Sequence, residues 1–208
     1  MILVGHNVGR KDQYYHYNKT HQCLQKGIRL IHIWEWELTD SILWRRTSNW
    51  ILNLLNSLKI ELNLVNCRIQ DVSVEEQIDF LNQYNLYGYQ QSDICFGLYY
   101  NNDLIQLMSF KKLINQEYQL LQFCTKFRYN MSNGVKELFN YFIHYYDPTD
   151  IIVNCSIDKF TGKTFEDAGF KLRKYIASNF ISNVENYVNI PENQKIYDCG
   201  GNIYVFER

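Results

Sequence analysis

Four of the five histidines, His6, His16, His21 and His32, fall within the first 60 residues, together with eight Lys/Arg against four Asp/Glu. Imidazole and lysine beside a few carboxylates can handle water and phosphate, and a local basic excess favours contact with nucleic acid. Residues 61–208 reverse the balance, with thirteen Lys/Arg against eighteen Asp/Glu. An excess of four charges also suits an ordinary solvated face, so charge alone assigns no function. A second polar cluster, Asp158-Lys159-Phe160-Thr161-Gly162-Lys163, precedes a short helix. It suits phosphate contact or plain capping by Thr161. A third runs from Arg128 to Val135 with one glycine, Gly134. It reads as a helix start with Ser132 or Asn133 as N-cap, and Asn133 can take left-handed backbone. The six cysteines are widely spaced, with no CxxC and no Cys/His cluster, which excludes a zinc site and a disulfide framework. Their apolar surroundings make them buried small hydrophobes.

The elements that must position these groups follow from periodicity. Asp12–Lys26 reads as a helix closed by Gly27, and Ile28–Trp34 as a strand buried on both faces. Thr39 or Asp40 can cap a further helix whose apolar side carries Leu43, Trp50, Ile51, Leu54, Leu55 and Leu58. This helix–strand–helix has a strand without a partner, so residues 1–62 read as the tail of a larger α/β domain. Residues 63–208 have a different rhythm. Val65–Val72 is a strand, and Ser73 with Glu76 forms a capping box opening a helix. Ile94–Tyr100 and Leu104–Phe110 flank an Asn101-Asn102-Asp103 turn, and Tyr118–Phe127 is a further strand. A helix from Gly134 to Tyr145, a strand Ile151–Cys155, a short helix Gly162–Ala168 and a strand Phe170–Ile176 follow. Lys195–Cys199 is expected to pair with Asn202–Phe206 about Gly200-Gly201. No run reaches the roughly 18 apolar residues of a membrane span, and the first residues are too short for a signal peptide, which points to the cytoplasm.

The order β-α-β-β-β-α-β-α-β, with the loop after Tyr118–Phe127 and the Thr164-Phe165-Glu166-Asp167-Ala168-Gly169-Phe170 ending, resembles the GNAT acyltransferase fold. That resemblance implies an α/β (α+β) domain with a mixed, mostly antiparallel sheet flanked by helices. Four stretches make the whole chain similar to phage-type homing endonucleases: Tyr15–Thr20, Gly27–Glu35, Phe80-Leu81-Asn82 and Ile196–Gly200. There a nuclease domain related to very-short-patch-repair enzymes precedes a GNAT-like domain.

The second resemblance makes His6, His16, Lys19 and Glu35 vestigial nuclease candidates. The metal-holding acidic residues would precede Met1, so a nuclease-dead, N-terminally truncated relative is expected, with Mg²⁺ only if cleavage survives. The GNAT resemblance makes Arg128, Asn133 and Gly134 the equivalent of the loop that cradles the pyrophosphate of acetyl-CoA. With one glycine the loop restricts close approach, and no cofactor is expected beyond that acetyl-CoA option. Glu117 and Tyr175 are the acid–base choices it offers. Three functions follow: a DNA- or protein-binding module, an inhibitor of a host or defence enzyme acting by protein contact, or an acetyl-CoA-dependent N-acetyltransferase. DNA through the basic N-terminal segment and a host or phage protein are the expected partners; no membrane is.

Overall fold

The computed structural model describes residues 2–5, 12–55, 58–131, 133–178 and 198–207. The chain begins with β1 (Ile2–Gly5), α1 (Tyr15–Gln25), β2 (Ile31–Trp34), α2 (Glu35–Thr39) and α3 (Ser41–Leu55). β1 pairs in parallel with β2, Ile2 against Ile31 through Gly5 against Trp34. The strand expected to lack a partner therefore has one, contributed by the short apolar run at the start of the chain. Gly27 takes the left-handed backbone (φ +70°) that ends α1. Asp40 starts α3 by accepting from the Ile42 and Leu43 amides at 2.8 and 3.0 Å. α3 buries Thr47 and Trp50, whereas Leu55 and Leu58, placed on its apolar side from the sequence, are 70% and 85% exposed.

After β3 (Ile60–Glu61) and one 3-10 turn at Leu64–Asn66 come β4 (Cys67–Asp71), α4 (Val74–Tyr84), β5 (Ile94–Tyr100) and β6 (Asp103–Lys112). β7 (Glu117–Thr125), β8 (Tyr129–Asn130), α5 (Gly134–Tyr146), β9 (Asp150–Ser156), α6 (Lys163–Asp167), β10 (Lys171–Ile176) and β11 (Gly201–Glu207) complete the chain. Seven strands form one sheet in the order β10-β11-β9-β7-β6-β5-β4, antiparallel throughout except for the parallel pair β7–β9. β11 lies between β10 and β9, which take both its edges; of the strand expected at Lys195–Cys199, residues 195–197 lie outside the described residues, and Asp198 and Cys199 are not in a strand.

Local chemistry explains the joints. Asn101 and Asn102 both take positive φ (49° and 68°), the geometry a two-residue turn needs between right-twisted strands. Ser73 Oγ accepts from the Glu76 amide at 3.2 Å and starts α4. Asp147 (φ +46°) ends α5 one residue before Pro148. α5 covers one face of the sheet: Phe142 stacks on Phe110 at 3.7 Å and meets Tyr118 edge-on at 5.0 Å. α4 covers the other face, packing Phe80 and Leu81 against Cys95, Leu107 and Cys124. Cys95, Cys124, Cys155 and Cys199 are buried and all six thiols are free, as their apolar settings imply. No described helix is long and apolar enough to cross a membrane.

Candidate functional site

The sheet opens along its one parallel pair. β7 and β9 are in register from Glu117 against Asp150 to Leu120 against Val153, and there the pairing stops, although β7 runs on to Thr125 and β9 to Ser156. On the other side of β7, Leu120 faces Phe110 and Gln122 faces Ser109, so Leu121 is an extra residue, a β-bulge. A bulge bends its strand and moves later side chains to the opposite face. Tyr118 and Leu120 accordingly join the core under α5, while Cys124 joins the core under α4. The bulge thus parts β7 from β9 and leaves their facing backbone edges without each other. β7 then leads through Arg128 into α5, whose N-terminus stands at this end of the sheet.

A cavity of about 260 Å³ adjoins the end of β9. Ser156, Asp158 and Lys159 of that strand and its following loop line it, with Leu86 and Tyr87 from the α4–β5 loop and Trp34, Trp36, Glu37, Leu43 and Thr47 from the N-terminal segment. Each wall is fixed by its own contacts. Gln122, just past the bulge, holds the α4–β5 loop by donating to Gly88 O (2.6 Å) and accepting from the Gln90 amide (3.0 Å). Arg46 of α3 donates to Asn82 Oδ1 at 2.6 Å and lies against Gly88, whose φ of +74° and missing Cβ admit the guanidinium.

The floor is a buried polar network. Lys159, 1% exposed, donates to Glu37 Oε2 (2.8 Å) and to His32 O, and its Nζ lies 3.9 Å from Asp158 Oδ2. Glu37 also accepts from the Trp34 amide (2.8 Å) and the Thr47 hydroxyl (3.2 Å). Asp158 accepts from Trp34 Nε1 (3.0 Å) and Ser156 Oγ (2.6 Å). Burial, followed by the Asp158 and Glu37 carboxylates, pushes the Tyr87 hydroxyl well above its ordinary pKa. Behind the floor, His32 is held by Thr20 at 2.8 Å, and burial above all lowers its pKa to about 4.

The structure distributes the sequence candidates unevenly. His6 lies outside the described residues. His16 is buried, ring-packed against His32 and Trp34 at 5.2 and 5.1 Å, rather than on a surface. Lys19 is half-buried, 5.7 Å from the Tyr15 ring centre, and Glu35 faces solvent on the first turn of α2. The buried carboxylate is Glu37, two residues on; its signal was the three-residue spacing from Trp34, whose amide it caps. No group of three His, Cys, Asp or Glu suited to a metal exists among the described residues. Arg128, Asn133 and Gly134 do gather between the end of β7 and the start of α5. Asn133 is α-helical (φ −98°) and makes no side-chain cap, however; the left-handed residue is Arg128 (φ +74°). That loop is also strapped: β3 pairs in parallel with β8, and the Ile60 and Leu62 amides donate to Arg128 O and Asn130 O at 2.7 and 3.2 Å. Glu117 opens β7, and Tyr175 is 51% exposed on β10 at the sheet's edge. The sequence reading missed Trp36, Glu37, Thr47, Leu86, Tyr87 and Ser156 as pocket residues.

No protein-family model and no curated protein matches the sequence. Solved structures match its fold. The ribosomal-protein-S18-alanine N-acetyltransferase of Escherichia coli is 10% identical, with 68% of this chain and 93% of that one covered at a TM-score of 0.50. A GNAT family acetyltransferase from Elizabethkingia anophelis with acetyl-CoA bound is 15% identical (69% and 99% covered, TM-score 0.50). The IAA acetyltransferase from Bacillus cereus is 12% identical (68% and 99%, TM-score 0.50). The chain therefore has the GNAT acetyltransferase fold.

Proposed function

We propose that the protein is an acyl-CoA-dependent N-acyltransferase. The observation that carries this is the bulge at Leu121, which parts β7 from β9 in front of the α5 N-terminus and opens beside a pocket at Ser156. Parted parallel strands present free backbone donors and acceptors to an extended, amide-bearing ligand. The names of the neighbouring structures, with acetyl-CoA bound in one, support the same reading.

The residues present fit coenzyme A. Gln106 is 2% exposed, its Oε1 takes no hydrogen bond among the described residues, and it sits where a Cβ on Gly134 would lie 1.9 Å away. It is a buried acceptor at the helix start that an amide N–H of the ligand would satisfy. Arg128 and Lys136 flank that helix start and form no ion pair among the described residues, which suits a diphosphate. A bound acyl-CoA supplies the activated thioester. The chain's own part is to hold the acceptor between the α4–β5 loop and the end of β9, exclude water there, and take the proton the amine loses at Asp158. The scarcity of glycine counted against a cofactor only for the diphosphate; the strand edges and Gln106 leave no mark in a glycine count.

Calorimetric titration with acetyl-CoA tests the proposal. We expect micromolar affinity, a raised unfolding temperature and about tenfold weaker binding for Arg128→Ala. Absence of any thermal shift with about 1 mM acetyl-CoA or CoA would sink it.

A further inference from the structure

We infer that residues 34–47 form half of the acceptor pocket, and that the pocket takes a compact amine with one positive charge on an apolar or aromatic body. That acyl groups are transferred to this amine rests on the function proposed above; that it binds does not.

Half of the ten lining residues come from this stretch, so the N-terminal segment is part of the pocket rather than an appendage to it. The volume, about 260 Å³, falls below the roughly 300–1,000 Å³ of sites for drug-sized ligands. That volume suits a small molecule rather than a peptide of several residues.

Charge decides between an amine and an acid. The floor carries two carboxyl groups, Glu37 and Asp158, against one amine, Lys159. Lys159 already donates to His32 O and Glu37 Oε2, with Asp158 the next acceptor, so it has little to offer an anion. The carboxylates keep capacity. Glu37 Oε1 accepts only from Thr47 and Asp158 Oδ1 only from Ser156 among the described residues, and each such oxygen takes two hydrogens. Burial first, and then both carboxylates, raise the pKa of the Tyr87 hydroxyl, in keeping with their place beside it.

The walls decide the body of the ligand. Trp34 and Trp36 are stacked on each other at 5.1 Å and 5°, and Leu43, Leu86 and Tyr87 complete an apolar and aromatic enclosure. Faces of aromatic rings beside carboxylates favour a cation over a neutral isostere. Tyr87, 59% exposed as a whole residue, turns its hydroxyl inward toward Ser156 and the two carboxylates and so forms one wall of the pocket.

The test uses the full chain with benzylamine, benzyl alcohol, benzoate and spermidine as probes, read by tryptophan fluorescence and calorimetry. We expect benzylamine to quench the tryptophans and to bind at least about tenfold more tightly than the other three. Leu43→Trp, which fills the cavity, abolishes this binding, and Tyr87→Ala, which removes an aromatic wall, weakens it about tenfold in protein that circular dichroism shows to be folded. Equal affinity for benzoate and benzylamine, or no quenching by about 10 mM benzylamine, overturns the inference. Benzylamine binding without acetyl-CoA binding overturns only the acyltransferase reading. Acetyl transfer to amines that Leu43→Trp leaves unchanged overturns only the pocket.

Discussion

The face of the sheet under α5 and the junction between the N-terminal segment and the end of β9 are both buried, yet opposite means hold them. Under α5 the contacts are almost entirely apolar: Phe96, Phe110, Leu138, Phe142 and Ile151 are each fully buried. At the junction the buried groups are Lys159, Glu37, Asp158, His32 and Thr47, each with named polar partners. An apolar face tolerates several packings of similar volume, whereas a buried ion pair accepts one partner geometry and penalises the rest. The junction is therefore a device for placing Trp34, Trp36 and Glu37 at fixed positions beside β9, which is what a pocket wall requires.

The sharpest way to break this contrast is to remove the cation. Lys159→Met leaves Glu37 and Asp158 buried without their ammonium, and we expect a loss of about 3–5 kcal/mol in urea unfolding. The double variant Glu37→Gln with Lys159→Met should recover part of that loss, because one uncompensated carboxylate is gone. If Lys159→Met lay within about 1 kcal/mol of the wild type, the junction would not be held by its charges.

The same contrast explains what the sequence disclosed. Under α5 and around the hairpins, each element announces itself within a few residues. Asn101-Asn102 makes the turn, Ser73 and Glu76 open α4, Pro148 follows the end of α5, and alternation marks β7. The fold of residues 63–208 was legible for that reason, as was the loop between β7 and α5. The junction was not. Lys159 and Glu37 are 122 positions apart, and Trp34 and Asp158 are 124 apart. A lysine bound for burial has the same letter as a surface lysine, so Asp158-Lys159 reads as a loop cluster, and Glu35 is the carboxylate that the nuclease resemblance supplies while Glu37 lies outside it. The bulge at Leu121 is equally silent, since an extra residue shows only against a partner strand.

Acid should act on the junction before the apolar face. His32 is held neutral in the folded state, with its pKa lowered to about 4 by burial first, and then by His16, Lys159 and Lys19 against the opposing pull of Asp158. In the unfolded chain the imidazole titrates near its ordinary value of about 6.5. Between those two values the unfolded state holds the extra proton, so stability falls as pH drops from about 6.5 to about 4, at up to ~1.4 kcal/mol per pH unit. His32→Gln should flatten this part of the profile. Urea midpoints at neutral, mildly acidic and more acidic pH, compared between wild type and variant, measure it. Parallel profiles would show that His32 carries none of the acid sensitivity.

The smallest effect expected comes from the region whose rules are local. Ser73 Oγ caps α4 through the Glu76 amide, and Ser73→Ala removes that acceptor while leaving the apolar contacts of Phe80 and Leu81 in place. The expected loss is about 1 kcal/mol. A cap belongs to one helix end, so its loss should add to that of Lys159→Met without coupling, within about 0.5 kcal/mol. A larger coupling in the double variant would mean that the α4 end of the sheet senses the junction, most directly through the Arg46–Asn82 contact that joins α3 to α4. The two regions would then be one cooperative unit, and the pocket between them would be as rigid as the sheet itself.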